Sequence, residues 1–174
     1  MYPTPTTLSP PLEPYAVTGY RFRQRLRRRI ILWATHLGDD VVAEAGTPVQ
    51  AIGEGEVVWA EVRPGSAKKR NWGGLVVLAH TDKRNDQSFF SLYGHLTNLK
   101  VQVGDSLTAR QPIGDIAPGL SPENGWWKTP HLHFAIYTGP WTAQILPGYK
   151  RPEERRTKVR WWRDPQTFIS EYNK

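Results

Sequence analysis

Pro130-His131-Leu132-His133-Phe134-Ala135-Ile136-Tyr137 is the stretch on which the reading of this chain turns. Leu132–Tyr137 is apolar or aromatic apart from one histidine, and this marks a strand. Successive strand residues point to opposite faces, so His131 and His133 share one face while Leu132 and Phe134 share the other. Two neighbouring imidazoles are unfavourable to protonate together. Such a pair suits a neutral state, which metal ligation requires. Taken alone, it fits a pair of histidines on a wet sheet face equally well.

Outward from it, strand-like runs recur at Arg29–Thr35, Glu56–Val62, Leu75–His80, Ser88–Tyr93 and Lys158–Trp162, with glycines between them. A helical pattern is found only at the end, where Asp164 can cap, Pro165 can start, and Phe168, Ile169 and Tyr172 share a face. The predicted class is all-β with one short C-terminal helix. Gly46-Thr47-Pro48-Val49-Gln50-Ala51 is echoed by Gly104-Asp105-Ser106-Leu107-Thr108-Ala109, which suggests two related hairpin units in a sandwich or flattened barrel. Residues 1–19, with prolines at 3, 5, 10, 11 and 14, read as an extended or disordered arm. Residues 20–174 read as a single domain. Pro118–Pro130 and Gly139–Val159 read as long loops of the kind that carry binding residues.

The 174 residues include no cysteine, so disulfides, Cys-containing zinc fingers and cysteine nucleophiles are excluded. No apolar run approaches the ~20 residues of a membrane span. No signal peptide is visible, because Arg21–Arg29 is followed by only a short apolar run. The net charge of +7 points to an anionic partner without choosing among nucleic acid, lipid and wall polymer. Its densest part, Arg21–Arg29, reads most simply as a solvated basic segment before a strand.

Two further histidine clusters accompany the strand pair. In His36-Leu37-Gly38-Asp39-Asp40 an imidazole and a carboxylate lie four apart around a glycine. Both are ordinary zinc ligands, and one more histidine would leave a fourth position open, the layout of a catalytic zinc. By itself the segment is a capped turn. Tyr93-Gly94-His95-Leu96 closes a strand with a third cluster. His80, in Val77-Leu78-Ala79-His80, reads as structural. Asp39 should face away from Asp40, either supporting it or exposed.

His36-x-Gly38-x-Asp40 with Ala45-Gly46-Thr47-Pro48-Val49, then Leu92-Tyr93-Gly94-His95-Leu96, Val103-Gly104-Asp105, Gln111-Pro112-Ile113-Gly114 and Pro130-His131-Leu132-His133-Phe134 run in one order over about residues 30–138. Together they resemble the motifs of the lysostaphin/LytM-type zinc endopeptidases. The resemblance implies one catalytic Zn²⁺ held by His36, Asp40 and His133, with His131 and His95 as catalytic histidines. It implies an antiparallel, duplicated-hybrid (barrel-sandwich-like) β core with a groove. The reaction it implies is hydrolysis of peptide crosslinks in peptidoglycan, at the cell envelope or outside the cell. With no leader visible, a cytoplasmic place or a truncated start stays open. Under the resemblance, +7 suits an anionic wall better than nucleic acid, because the cations gather at 21–29 and 150–163 rather than alternating with aromatics along strands.

The chain departs from the family pattern at three places. Trp126-Trp127-Lys128-Thr129 stands where members often carry Ser-Thr-Gly, Ala135 where many carry Glu, and Ile30 where some carry a tyrosine. Trp126 and Trp127 are either groove aromatics or loop aromatics over the core. The alternative function is a non-enzymatic wall-binding module, or a regulator of wall hydrolases with the same fold. A polyanion-binding barrel is a more distant third.

Overall fold

Three long, almost wholly buried strands form the centre of the computed structural model, which describes residues 1–174. In chain order the strands are β1 (Arg25–Arg28), β2 (Ile31–His36), β3 (Asp39–Val42), β4 (Pro48–Gln50), β5 (Gly55–Arg63), β6 (Gly73–Thr81), β7 (Ser88–Thr97), β8 (Ser106–Leu107), β9 (Pro112–Ile116), β10 (His131–Tyr137), β11 (Tyr149–Lys150) and β12 (Trp162–Arg163). One helix, α1 (Pro165–Tyr172), follows. A nine-stranded antiparallel sheet runs β12-β10-β7-β6-β5-β8, with β3 on β10, and β9 on both β7 and β4. A smaller sheet, β1-β2-β11, lies beside it.

The long strands read as unbroken apolar runs because both of their faces are covered. Along β6, Val76 and Leu78 join one core with Leu132, Phe134, Phe168 and Tyr172, while Leu75, Val77 and Ala79 join a second with Tyr137, Leu146 and Trp162. An antiparallel sheet with one wet face would alternate apolar and polar residues instead. The sequence echo appears as reciprocal pairing. The strand after the first echo, β5, pairs with the short strand β8 of the second, and β9, after the second, pairs with β4 of the first. The turn glycines match too, Gly46 donating its N–H to Ile116 and Gly104 to Val57.

Helix α1 forms as its residues dictate, with Asp164 accepting from the Thr167 N–H and Pro165 in the first turn. No helix of the structure is long and apolar enough to cross a membrane. Lys158–Trp162 is not a strand. Val159–Trp161 is a 3-10 turn and only Trp162–Arg163 pairs, the buried Trp162 indole N–H donating back across the turn to Thr157 Oγ1 at 2.8 Å. Arg25–Arg28, inside the basic run, is itself a strand, with Leu26 buried and the arginines outward. The Pro-rich segment 1–19 contains neither helix nor strand, and it is packed. Leu8 and Leu12 are buried in the first core, the Thr81 N–H bonds the Pro3 carbonyl, and the Tyr172 hydroxyl donates to the Pro5 carbonyl.

Two segments that flank the site, the loop leading into the start of β6 and the loop before β10, are locked together through backbone. Gly65 N–H donates to Pro122 C=O at 2.9 Å, Asn71 N–H to Gly125 C=O at 3.2 Å and Gly74 N–H to Glu123 C=O at 3.0 Å. Gly125 has φ of 64°, and a Cβ on it would lie 1.9 Å from the Asn71 carbonyl oxygen. Only glycine allows both that conformation and that approach.

His80 illustrates the structural kind of histidine. It is fully buried, bonded to the Glu54 carbonyl at 2.6 Å and to Ser91 Oγ at 2.8 Å. Burial pushes its pKa down to about 4. Between pH 4 and its ordinary value near 6.5, the unfolded chain binds a proton that the folded chain refuses, so stability falls as pH falls through this window. We expect roughly 2–3 kcal/mol from this residue. Urea unfolding at pH 7 and 4.5 checks it. His80→Gln should shrink the difference between the two pH values, and an unchanged difference would rule His80 out.

Candidate metal centre

Strand pairing brings the histidine clusters together. β3 and β7 flank β10, with Asp40 opposite His133 on one side and Gly94, next to His95, opposite it on the other. His36 ends β2, and the short bend at Leu37-Gly38 joins it to β3, so that His36 and Asp40 meet at the same point. A Cβ on Gly38 would lie 2.4 Å from the Phe134 carbonyl oxygen and 2.8 Å from His133 Nε2, so a side chain there would collide with the strand that carries the pair. Leu132 and Phe134 point into the first core, leaving the imidazoles on the opposite face as expected.

His36 Nε2, Asp40 Oδ1 and His133 Nδ1 form a nearly equilateral triangle. The edges are 3.1 Å between the histidines, 3.2 Å from His36 to Asp40 and 3.1 Å from His133 to Asp40. All three residues are buried, and the three atoms converge as a possible metal set. Tautomers support this. His36 Nδ1 lies 3.2 Å from the Arg21 carbonyl oxygen, which can only accept, so a neutral His36 presents a bare Nε2. Three acceptors facing one another can share few protons, whereas a cation would satisfy them all. Tetrahedral ligands at ~2.0–2.1 Å from an ion lie about 3.3 Å apart, close to these edges. The residues fit a small divalent ion.

Burial acting alone would raise the Asp40 carboxyl, but hydrogen bonds and charge from His133 and His36 outweigh it and hold it well below the usual carboxylate range. Burial, together with the charge of His36, pushes His133 down to about 4 against the opposing pull of Asp40. Both shifts favour the states that ligation needs in these two residues: Asp40 ionised and His133 neutral.

His131 and His95 stand beside the triangle. His131 Nδ1 donates to the Thr129 carbonyl at 2.8 Å, which leaves Nε2 facing Asp40 Oδ1 at 3.9 Å. The His95 ring is 4.6 Å from that of His131 and 6.3 Å from that of His133. Its backbone has φ of 68°, held by the bonds His95 N–H to Trp72 C=O and Ala117 N–H to His95 C=O. Burial, and then the neighbouring His131 and His133, push its pKa well below the ordinary value, so it is a neutral imidazole. The structure thus gathers all five candidate residues in one place and puts His80 elsewhere.

Asp39 is not exposed. It is buried, accepting from the Tyr15 hydroxyl at 3.1 Å and the Phe22 N–H at 2.9 Å. It therefore anchors the segment whose Arg21 carbonyl orients His36. Ile30, at the position where some relatives carry tyrosine, is exposed to solvent. The phenols near His36 come from elsewhere, with Tyr20 at 5.7 Å and Tyr149 at 5.2 Å between ring centroids. Tyr149 is brought there by the pairing of β11 with β2, in register with His36 itself. Of the tryptophan pair, Trp127 stands at the groove, with its ring 6.1 Å from His95 and 6.4 Å from His131. Sequence reading missed Tyr20, Trp33, Arg70, Trp72 and Tyr149 as wall residues. Only Tyr149 had a signal, its place in a long loop.

A family model described as Peptidase family M23 matches residues 34–144. The glycyl-glycine endopeptidase ALE-1 of Staphylococcus capitis is 35% identical over 103 residues, which is 59% of this chain and 25% of that protein. Lysostaphin of Staphylococcus simulans is 35% identical over 99 residues, 57% of this chain and 17% of that protein. The chain thus spans a quarter or less of the length of these relatives. The crystal structure of the lysostaphin catalytic domain superposes with a TM-score of 0.56 at 25% identity, covering 87% of this chain and 90% of that one. The LytU structure reaches 0.60 at 21% identity, covering 88% and 83%, and supports the fold. With the matched segment holding His36, Asp40, His95, His131 and His133 on this antiparallel core, the chain belongs to peptidase family M23.

Proposed function

We propose that this domain is a zinc-dependent endopeptidase that hydrolyses peptide bonds in the crosslinks of bacterial peptidoglycan. The triangle of His36 Nε2, Asp40 Oδ1 and His133 Nδ1, with His131 and His95 beside it, carries this reading. Two imidazoles and one carboxylate are a donor set suited to catalytic zinc. When bound there, Zn²⁺ supplies Lewis acidity, lowering the pKa of water and polarising the scissile carbonyl.

The chain's own groups do the rest. His131, with Nδ1–H held by the Thr129 carbonyl, offers the lone pair of Nε2 on the open side of the triangle and takes the proton of the attacking water. His95, neutral and packed against His131, donates a hydrogen bond to the oxygen on which charge develops, and His131 passes the proton it took on to the leaving amine. Asp40 contributes the negative charge of the set, and the Arg21 carbonyl keeps His36 in the ligating tautomer.

The names of the relatives support the substrate class. Two are the staphylococcal enzymes above, and a third is the peptidoglycan DD-endopeptidase ShyA of Vibrio cholerae, 31% identical over 103 residues, 59% of this chain and 20% of that protein. The complete donor set disfavours the non-enzymatic alternative. On this reading the protein acts at the cell wall, outside the cytoplasm, and its +7 charge assists attraction to an anionic wall.

Purified walls of two crosslink types, one direct and one glycine-bridged, test the reading by mass analysis of the released peptides. New amine ends from one wall, lost on chelation and restored by zinc, are expected. Zinc-loaded protein that opens no bond in either wall would refute it.

A further inference from the structure

Two clefts meet over the histidine cluster. One, of about 330 Å³, is lined by Trp33, Trp72, His95, His133 and Tyr149, with Arg70 and Arg151 among its walls. The other is lined by Tyr20, Asp40 and His131, with Arg70 and Lys128 among its walls. Arg70 and Trp127 belong to both. The Arg70 guanidinium carbon lies 4.4 Å from the centroid of the Trp127 ring, so the pair stands at the junction, above the reacting groups.

The charge balance of these walls is one-sided. Asp40 is the only acidic side chain in either lining, and it belongs to the donor triangle. Arg70, Lys128 and Arg151 take part in no ion pair, although acids pair with Arg63, Arg84, Lys100, Arg110 and Arg156 elsewhere on the molecule. A guanidinium lying over an indole is held in place while its N–H groups stay free at its edge, a geometry that matches a carboxylate in bidentate fashion.

Resting on the peptidase reading above, we propose that this groove selects peptides carrying a free carboxylate beside the scissile bond, with Arg70 as the residue that binds it. Trp127 positions the guanidinium, and Lys128 and Arg151 add favourable field at the two ends. A neutral bridge without a carboxylate leaves Arg70 without a partner and is a poorer ligand.

Two synthetic crosslink peptides test this, identical except that one bears a free carboxylate next to the central amide bond and the other a carboxamide. Their affinities for the zinc-loaded full chain are measured by calorimetry, and their cleavage by mass spectrometry. The carboxylate form should bind at least tenfold more tightly. That preference should vanish in Arg70→Gln and be partly kept in Arg70→Lys, with the change in KM rather than kcat. Lys100→Gln, remote from the groove, should leave it intact. Equal affinity, no measurable binding of either peptide, or a preference that survives Arg70→Gln would overturn the assignment. Binding with the expected preference but without cleavage would uphold Arg70 and count against the peptidase reading instead.

Discussion

His133→Ala is expected to retain its far-UV circular dichroism, bind no stoichiometric zinc and release no peptide from walls above background. Its Nδ1 supplies one corner of the triangle, 3.1 Å from each of the other two donors. Losing a partner that merely supports a ligand typically weakens metal binding 10–100-fold. Loss of a direct donor should exceed about 100-fold. The ion's electrostatic contribution is several kcal/mol, and each ~1.4 kcal/mol is a factor of ten, so turnover should fall by at least about 10³. Metal content is read by plasma mass spectrometry on dialysed protein. One equivalent of zinc in His133→Ala would show that the triangle is not the metal site. The substitution also removes a buried imidazole, so a thermal melt must accompany the measurement, with His133→Gln as the larger replacement should alanine destabilise the strand.

His95→Ala and His131→Ala should give the opposite pattern, with zinc retained and turnover lost. Neither residue has an atom in the triangle, and the nearer of the two approaches Asp40 Oδ1 only to 3.9 Å. Both are placed by backbone. The Thr129 carbonyl fixes the His131 tautomer, and the Trp72 and Ala117 backbone groups clamp His95 in its left-handed conformation. Positioned acid–base groups contribute about 10²–10⁴ in rate, so kcat should fall by that factor with zinc content unchanged. If either variant kept more than about a tenth of wild-type kcat, that residue would have no part in the chemical step. Loss of zinc from His131→Ala would instead make His131 a ligand.

Much of this architecture was legible because its central strands are strongly patterned. The HxH alternation in β10 and the apolar runs of β6 and β7 identify themselves, as does the Asp164-Pro165 start of α1. The short strands are a different case. β3 contains two aspartates, poor strand formers, and it exists because β10 and the bonds between Asp40 and residues 19–20 hold it. β11 has two residues and no pattern of its own, yet it delivers Tyr149 to His36. The leucines of the Pro-rich arm have no neighbours in sequence to signal burial, and their partners are residues such as Asn173, 165 positions away. The same distinction holds at the site. Ligand-type residues sit in local motifs, whereas Arg70 and Trp127 meet only through tertiary structure, one from each of two loops.

Those two loops are joined by two backbone hydrogen bonds, with a third from the start of β6, across a contact with no room for a side chain at Gly125. They therefore form one block of groove wall. Exchanging a single loop with a relative would place a foreign backbone on a surface that tolerates no change of path, so a graft has to carry both segments. Replacing side chains on the existing block is the easier route to a new substrate range, because the scaffold that presents them does not have to be rebuilt.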